Sequence, residues 1–109
     1  MVRVYCAGPI TKPDMRANAL MAIKYADVLL ELGFAPFVPQ LSVFWSEFSP
    51  HPYEVWLKLD FEWLSVCNAL LRIPGESPGA DREVQFAHDH FIPVFYSIEN
   101  LTRYFKETK

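Results

Sequence analysis

Two carboxylates stand where packing alone does not call for them. Glu83 follows the stretch IPGESPGADR, six residues after Ser77 and four after Gly79. Asp60 interrupts YEVWLKLDFEWL between Leu59 and Phe61, in a segment otherwise rich in apolar residues. A carboxylate in the first turn of a helix is held ionised by the helix dipole, which is the state a carboxylate nucleophile needs. A charge inside an otherwise buried helix costs free energy unless something uses it. Each residue alone also has a plainer explanation. Glu83 could serve the helix dipole, worth about 0.3–1 kcal/mol, and Asp60 could share a solvated stripe with Glu54, Lys58 and Glu62.

The residues around them are suggestive. In PGESPGA, Gly75 and Gly79 free the backbone, Ser77 offers a hydroxyl, and the helix start that follows presents N–H groups to an anion. Gly8 ends an apolar run and lets backbone approach a ligand closely, although a plain strand-to-helix turn explains YCAGPIT equally well. His88 and His90 are two apart and so do not share a helix face, which argues against a metal pair. Neither a GxSxG elbow, a phosphate-binding P-loop nor a dinucleotide fingerprint occurs. No metal or redox cofactor is implied.

The elements that must position these residues alternate along the chain. Strands are expected at residues 2–6, 34–39, 69–73 and 92–96, and helices at about 14–32, 53–67, 81–91 and 98–107. Asp14 can cap the first helix and Gly33 can end it. The two prolines of FAPFVP place the second strand at a sheet edge. Residues 40–52, QLSVFWSEFSPHP, read as a long aromatic loop. The order predicts an α/β fold: one domain over residues 1–109, with a parallel sheet of about four strands in the order 2-1-3-4, flanked by helices in a flavodoxin- or Rossmann-like manner. Ligands of such sheets bind beyond the carboxyl ends of the strands. The loops AGPITKP, the aromatic segment and PGESPGA all emerge there.

Composition narrows the partners. With a net charge of −3 and no basic block among 109 residues, the chain is not built to bind duplex nucleic acid. No apolar run approaches the ~20 residues of a membrane span. Cys6 and Cys67 fit no metal spacing and read as reduced thiols of a cytoplasmic protein, in keeping with the absence of a signal-peptide pattern in MVRVYCAGPI. Aromatics make up 16% of the chain, more than so short a core absorbs, so some rings should face a ligand or a partner subunit. The segment 53–67 is apolar nearly all round, which predicts a homodimer or a higher homo-oligomer that buries part of it.

Taken together, VYCAGPI, LDFEWL and SPGADRE resemble, in order and over nearly the whole chain, the nucleoside 2-deoxyribosyltransferase-like family. That family includes the 2-deoxyribosyltransferases, the deoxynucleoside-monophosphate N-glycosidases and small phage and bacterial members, which this chain resembles most. The S-x-G-x-x-x-E spacing is its most specific motif. The resemblance implies that Glu83 is the nucleophile and Asp60 the carboxylate near the leaving base. It implies that Gly8 and Ile10 belong to the loop closing over the sugar. It also implies Ser77 where relatives acting on 5′-monophosphates have Ser and relatives acting on free nucleosides have Asp. A carboxylate there would repel a phosphate, whereas a hydroxyl donates to one. The monophosphate hydrolases often carry Arg just after Gly-x-Ile; here Thr11 and Lys12 follow.

The reaction so implied is cleavage or transfer of the N-glycosidic bond of a (deoxy)nucleoside or its 5′-monophosphate through a glycosyl-enzyme on Glu83. It follows the two-carboxylate logic of retaining glycosidases. Tyr5, Gly8, Ile10, Ser77, Gly79, Phe44, Trp45 and Tyr53 are the expected substrate-binding residues, with Phe44, Trp45 and Tyr53 forming a stacking wall for the base. A phosphoribohydrolase of the cytokinin-activating type would need a longer glycine-rich first loop than AGPITKP. A non-catalytic nucleotide-binding or host-interaction protein would not need Glu83 and Asp60 to converge.

Overall fold

The computed structural model describes residues 1–107. At its centre lies β1 (Arg3–Ala7), whose side chains alternate between two buried faces. Val4 and Cys6 pack with Ala22 and Leu29 of α1 (Met15–Glu31) and Leu101 of α5 (Ile98–Glu107). Tyr5 and Ala7 pack on the opposite side with Leu64 of α3 (Tyr53–Leu64) and with Ala80 and Ala87 of α4 (Pro78–Asp89). β2 (Ala35–Phe37), β3 (Ala69–Arg72) and β4 (Val94–Phe95) complete a parallel sheet in the order β2-β1-β3-β4. This is the α/β architecture and strand order that the alternation predicts. The chain reverses its direction of travel across the sheet between β1 and β3, the position where open parallel sheets leave a crevice.

β2 does lie at an edge, and its hydrogen bonding shows why proline fits there. Ala35 donates its N–H inward to the Val2 carbonyl at 2.8 Å, so the next residue, Pro36, has its nitrogen on the outward side of the strand. α1 starts as expected, with the Asp14 carboxylate accepting from the Ala17 N–H at 3.0 Å, and Gly33 beyond its end adopts φ +91°. Its inward stripe is Ala22, Ala26 and Leu29. Met15, Ile23 and Leu30 lie exposed, because the small alanines give the side of closest approach to the sheet.

Three segments depart from the expectation. Residues 40–52 are not a loop. Pro39–Leu41 forms a 3-10 turn and Ser42–Phe48 a short helix, α2, which ends ahead of Pro50 and Pro52. Nothing between Ser42 and Phe48 breaks a helix, and the prolines sit where they delimit it. α4 begins at Pro78 rather than near 81: the Ser77 hydroxyl caps it by accepting from the Ala80 N–H at 3.0 Å, with proline at the first helical position. α3 is also not submerged as its composition suggests; its buried residues are Asp60 and Leu64, while Val55 and Trp63 stay about half exposed. Among the described residues no helix is long and apolar enough to cross a membrane.

Candidate active site

A cavity of about 410 Å³ opens beyond the carboxyl ends of β1 and β3. The first loop contributes Gly8 to Lys12, α3 contributes Tyr53, Trp56, Leu57 and Asp60, and the β3–α4 connection with the start of α4 contributes Glu76 to Ala80, Arg82 and Glu83. The α3 residues recur at 53, 56, 57 and 60, which is one face of a helix. Asp60 therefore reaches the cavity because it shares a stripe with Trp56, one turn earlier.

Both carboxylates are buried, Glu83 to 4% exposure and Asp60 to 5%. Glu83 does not sit in the first turn of its helix. Because α4 starts at Pro78, it falls in the second turn, facing the sheet. The dipole therefore does not set its charge, and burial does. Desolvation raises its pKa to about 8; the hydrogen bond from Tyr5 opposes that rise, the Asp60 carboxylate adds to it, and the Arg72 guanidinium opposes it. Desolvation likewise raises Asp60 to about 7. The Tyr5 hydroxyl, fully buried at the centre of the sheet, donates to Glu83 Oε2. Its own pKa is pushed upward by burial and then by the two carboxylates, so the phenol keeps its proton and serves as a fixed donor.

Arg72, at the end of β3, organises the PGESPGA loop. Its guanidinium donates to the Ile73 carbonyl, to the Gly75 carbonyl at 3.0 Å and to Asp81 Oδ1 at 3.1 Å. Gly75 holds φ +125°, and a Cβ there would meet Pro9 Cγ at 2.6 Å. This fold of the loop admits only glycine. Gly8 is required for a similar reason: a Cβ on it would stand 2.9 Å from the Ile73 Cβ. The first loop is pinned from α1, where Asn18 Nδ2 donates to the carbonyls of Ile10 and Lys12 at 3.2 and 2.9 Å. Beside Gly8, the buried Gln40 donates through Nε2 to the Cys6 carbonyl at 3.2 Å, and its Oε1 has no partner among the described residues.

The structure brings most of the predicted residues together. Gly8, Ile10, Tyr53, Asp60, Ser77, Gly79 and Glu83 line one cavity, with Tyr5 directly behind Glu83. Phe44 and Trp45 do not line it. They are 66% and 53% exposed, Phe44 against Phe48 and Trp45 edge-on to Trp56. The reason is the helix found in place of the expected loop: α2 turns Ser42 toward the cavity, Phe44 two residues on falls on another face, and Trp45 on Ser42's side is spent against the edge of Trp56. The aromatic wall is Trp56 and Tyr53 instead. Trp56 was legible in principle, being four residues before Asp60. Arg82 was also missed; it donates to the Tyr53 hydroxyl at 3.1 Å and lines the cavity.

No protein-family model matches the chain, and no curated protein matches its sequence. A solved structure does: the 2-deoxyribosyltransferase of the psychrotolerant bacterium Bacillus psychrosaccharolyticus superimposes with a TM-score of 0.64 over 89% of this chain and 76% of that one. The two sequences are 19% identical over the match. At that identity the likeness is one of fold, and this chain is built on the same parallel α/β scaffold as a 2-deoxyribosyltransferase.

Proposed function

We propose that the protein cleaves or transfers the N-glycosidic bond of a (deoxy)nucleoside or its 5′-monophosphate. The observation that carries this reading is the convergence of two buried carboxylates, from two helices, on one cavity. Glu83 Oε attacks C1′ as the C1′–N bond breaks, and Asp60 in its acid form gives its proton to the departing base. The Tyr5 hydrogen bond holds the nucleophile in place and eases its ionisation. Water, or a second base, then displaces Glu83 from C1′, so the anomeric configuration is retained.

Ser77 supports use of a 5′-monophosphate. Its oxygen already accepts from the Ala80 N–H, which leaves its own proton to donate toward an anion. Lys12 and Arg82 add cationic groups to the same cavity, in place of an arginine in the first loop. The free thiols Cys6 and Cys67, both with raised pKa through burial, suit a reducing cytoplasmic setting. The exposed Val55 and Trp63 of α3 and Phe44 and Phe48 of α2 suit a homodimer.

The test is release of free base from a panel of nucleosides and 5′-monophosphates by the wild type and by Glu83→Gln. The variant preserves size and an acceptor for Tyr5. Its rate should drop by at least about a thousandfold, on the scale seen when a catalytic nucleophile is removed. Wild-type turnover by the folded variant would sink the nucleophile assignment.

A further inference from the structure

We propose that Trp56 is the platform on which the leaving base stacks, and that it selects bicyclic, purine bases over pyrimidines. This rests on the N-glycosidic reading of the cavity. Three observations point to it. Trp56 lines the cavity on the same face of α3 as Asp60, one turn earlier, so a base lying on the indole has its edge toward the carboxyl group. The four-residue offset is about 6 Å along the helix axis, the scale of a base from its centre to the surroundings of its edge. The indole is also braced. Trp45 stands perpendicular to it at 79° with ring centres 5.1 Å apart, and His51 at 80° and 5.4 Å. His51 in turn is hydrogen-bonded to the Ser49 hydroxyl at 3.3 Å. A platform fixed before binding loses little freedom when the ligand arrives. Finally, an indole and a purine are both fused bicycles, so a purine covers more of the ring than a pyrimidine does, and base–aromatic stacking strengthens with that overlap.

The chemistry at Asp60 points the same way. A purine leaving from N9 carries ring nitrogens with in-plane lone pairs, which take the proton of a neutral carboxylic acid. The C1′–N9 bond breaks with its electron pair going to the base, the Asp60 proton moves to a ring nitrogen, and the purine departs neutral. Asp60 is left as a carboxylate. Thymine leaving from N1 offers only carbonyl oxygens, which are weaker bases; cytosine keeps a basic ring nitrogen at N3, so against cytosine the preference rests on the stacking.

The experiment has two arms, run on the wild type, Trp56→Leu and the milder Trp56→Phe. The first measures kcat/KM for base release from adenine, guanine, cytosine and thymine 2′-deoxynucleosides and their 5′-monophosphates. The second measures calorimetric binding of free adenine and free cytosine, which needs no turnover. The inference expects a purine preference of at least about tenfold in the wild type, carried mainly by KM, with Trp56→Leu bringing the ratio to within about threefold of one and Trp56→Phe falling between. It expects adenine binding to weaken by a similar factor in Trp56→Leu. A pyrimidine preference in the wild type, or a purine ratio and adenine affinity untouched in a folded Trp56→Leu, overturns it. Absence of base release together with Trp56-dependent adenine binding would overturn the glycosidase reading and leave the platform standing.

Discussion

At the scale of single residues, the site depends on two carboxylates whose burial makes them resist charge. The proposed chemistry needs Glu83 ionised and Asp60 protonated. With one group raised to about 7 and the other to about 8, kcat/KM should rise as the first proton leaves the pair and fall as the second does, giving a narrow bell between those flanks. The flanks belong to the pair rather than to either residue. Asp60→Asn separates the roles. It should slow base release by about 10²–10⁴-fold and abolish the alkaline fall. The acid limb should hold its place or move slightly to higher pH, because Asp60 is still uncharged while the first proton leaves the pair and the variant loses only the pair's second site for that proton. A pH–rate profile of both proteins checks this, and an alkaline fall that persists in Asp60→Asn would exclude Asp60 as the acid. The spacing Ser77-x-Gly79-x-x-x-Glu83 made the site's residues visible in sequence. The ionisation of Glu83 was not visible, because it is set by Tyr5, 78 residues away in the chain, and by the burial of the second turn of α4.

At the scale of elements, the starts of α1, α3 and α5 were legible, while that of α4 came three residues early, α2 was not foreseen and the helix faces were not legible. Asp14 before α1 carries its own signal, since a cap is a local hydrogen bond. Which side of α3 turns inward is a tertiary matter. Its composition suggested a submerged helix, yet the sheet takes Leu64 and the cavity takes Asp60, leaving Val55 and Trp63 outside. The end of α4 shows a local rule broken. Phe91, just past the helix, adopts φ +59° and is 95% exposed, at a place where glycine usually ends a helix. A left-handed conformation costs a residue with a Cβ about 1–2 kcal/mol, and this phenyl ring recovers almost nothing by burial. Phe91→Gly should therefore stabilise the protein by about 1 kcal/mol, seen as a higher urea midpoint at unchanged slope. A lower midpoint would mean that the ring has a partner in solution.

At the scale of the whole molecule, α2 and α3 leave several aromatic and aliphatic residues exposed. Phe44, Phe48, Val55 and Trp63 are each about half exposed or more, and the proposed homodimer would bury part of that apolar surface. Light scattering at micromolar concentration should give a mass of twice 12.6 kDa or a multiple of it, and a strictly monomeric mass would refute the dimer. The sheet itself is poorly suited to such association. One border is β4, only two residues long, and the other is β2, whose outward-facing nitrogen at Pro36 carries no hydrogen to donate. An incoming strand would find no ladder to extend along either border, so the homodimer proposed above would have to form through helices. The same proline then acts as a guard against fibril growth, in which strands add edge to edge. Pro36→Val restores an outward N–H on a β-favouring residue. It should shorten the lag of thioflavin-positive aggregation on gentle heating while base release by the still-folded fraction is unchanged. An unaltered lag would place the protection elsewhere, in the brevity of the strands themselves.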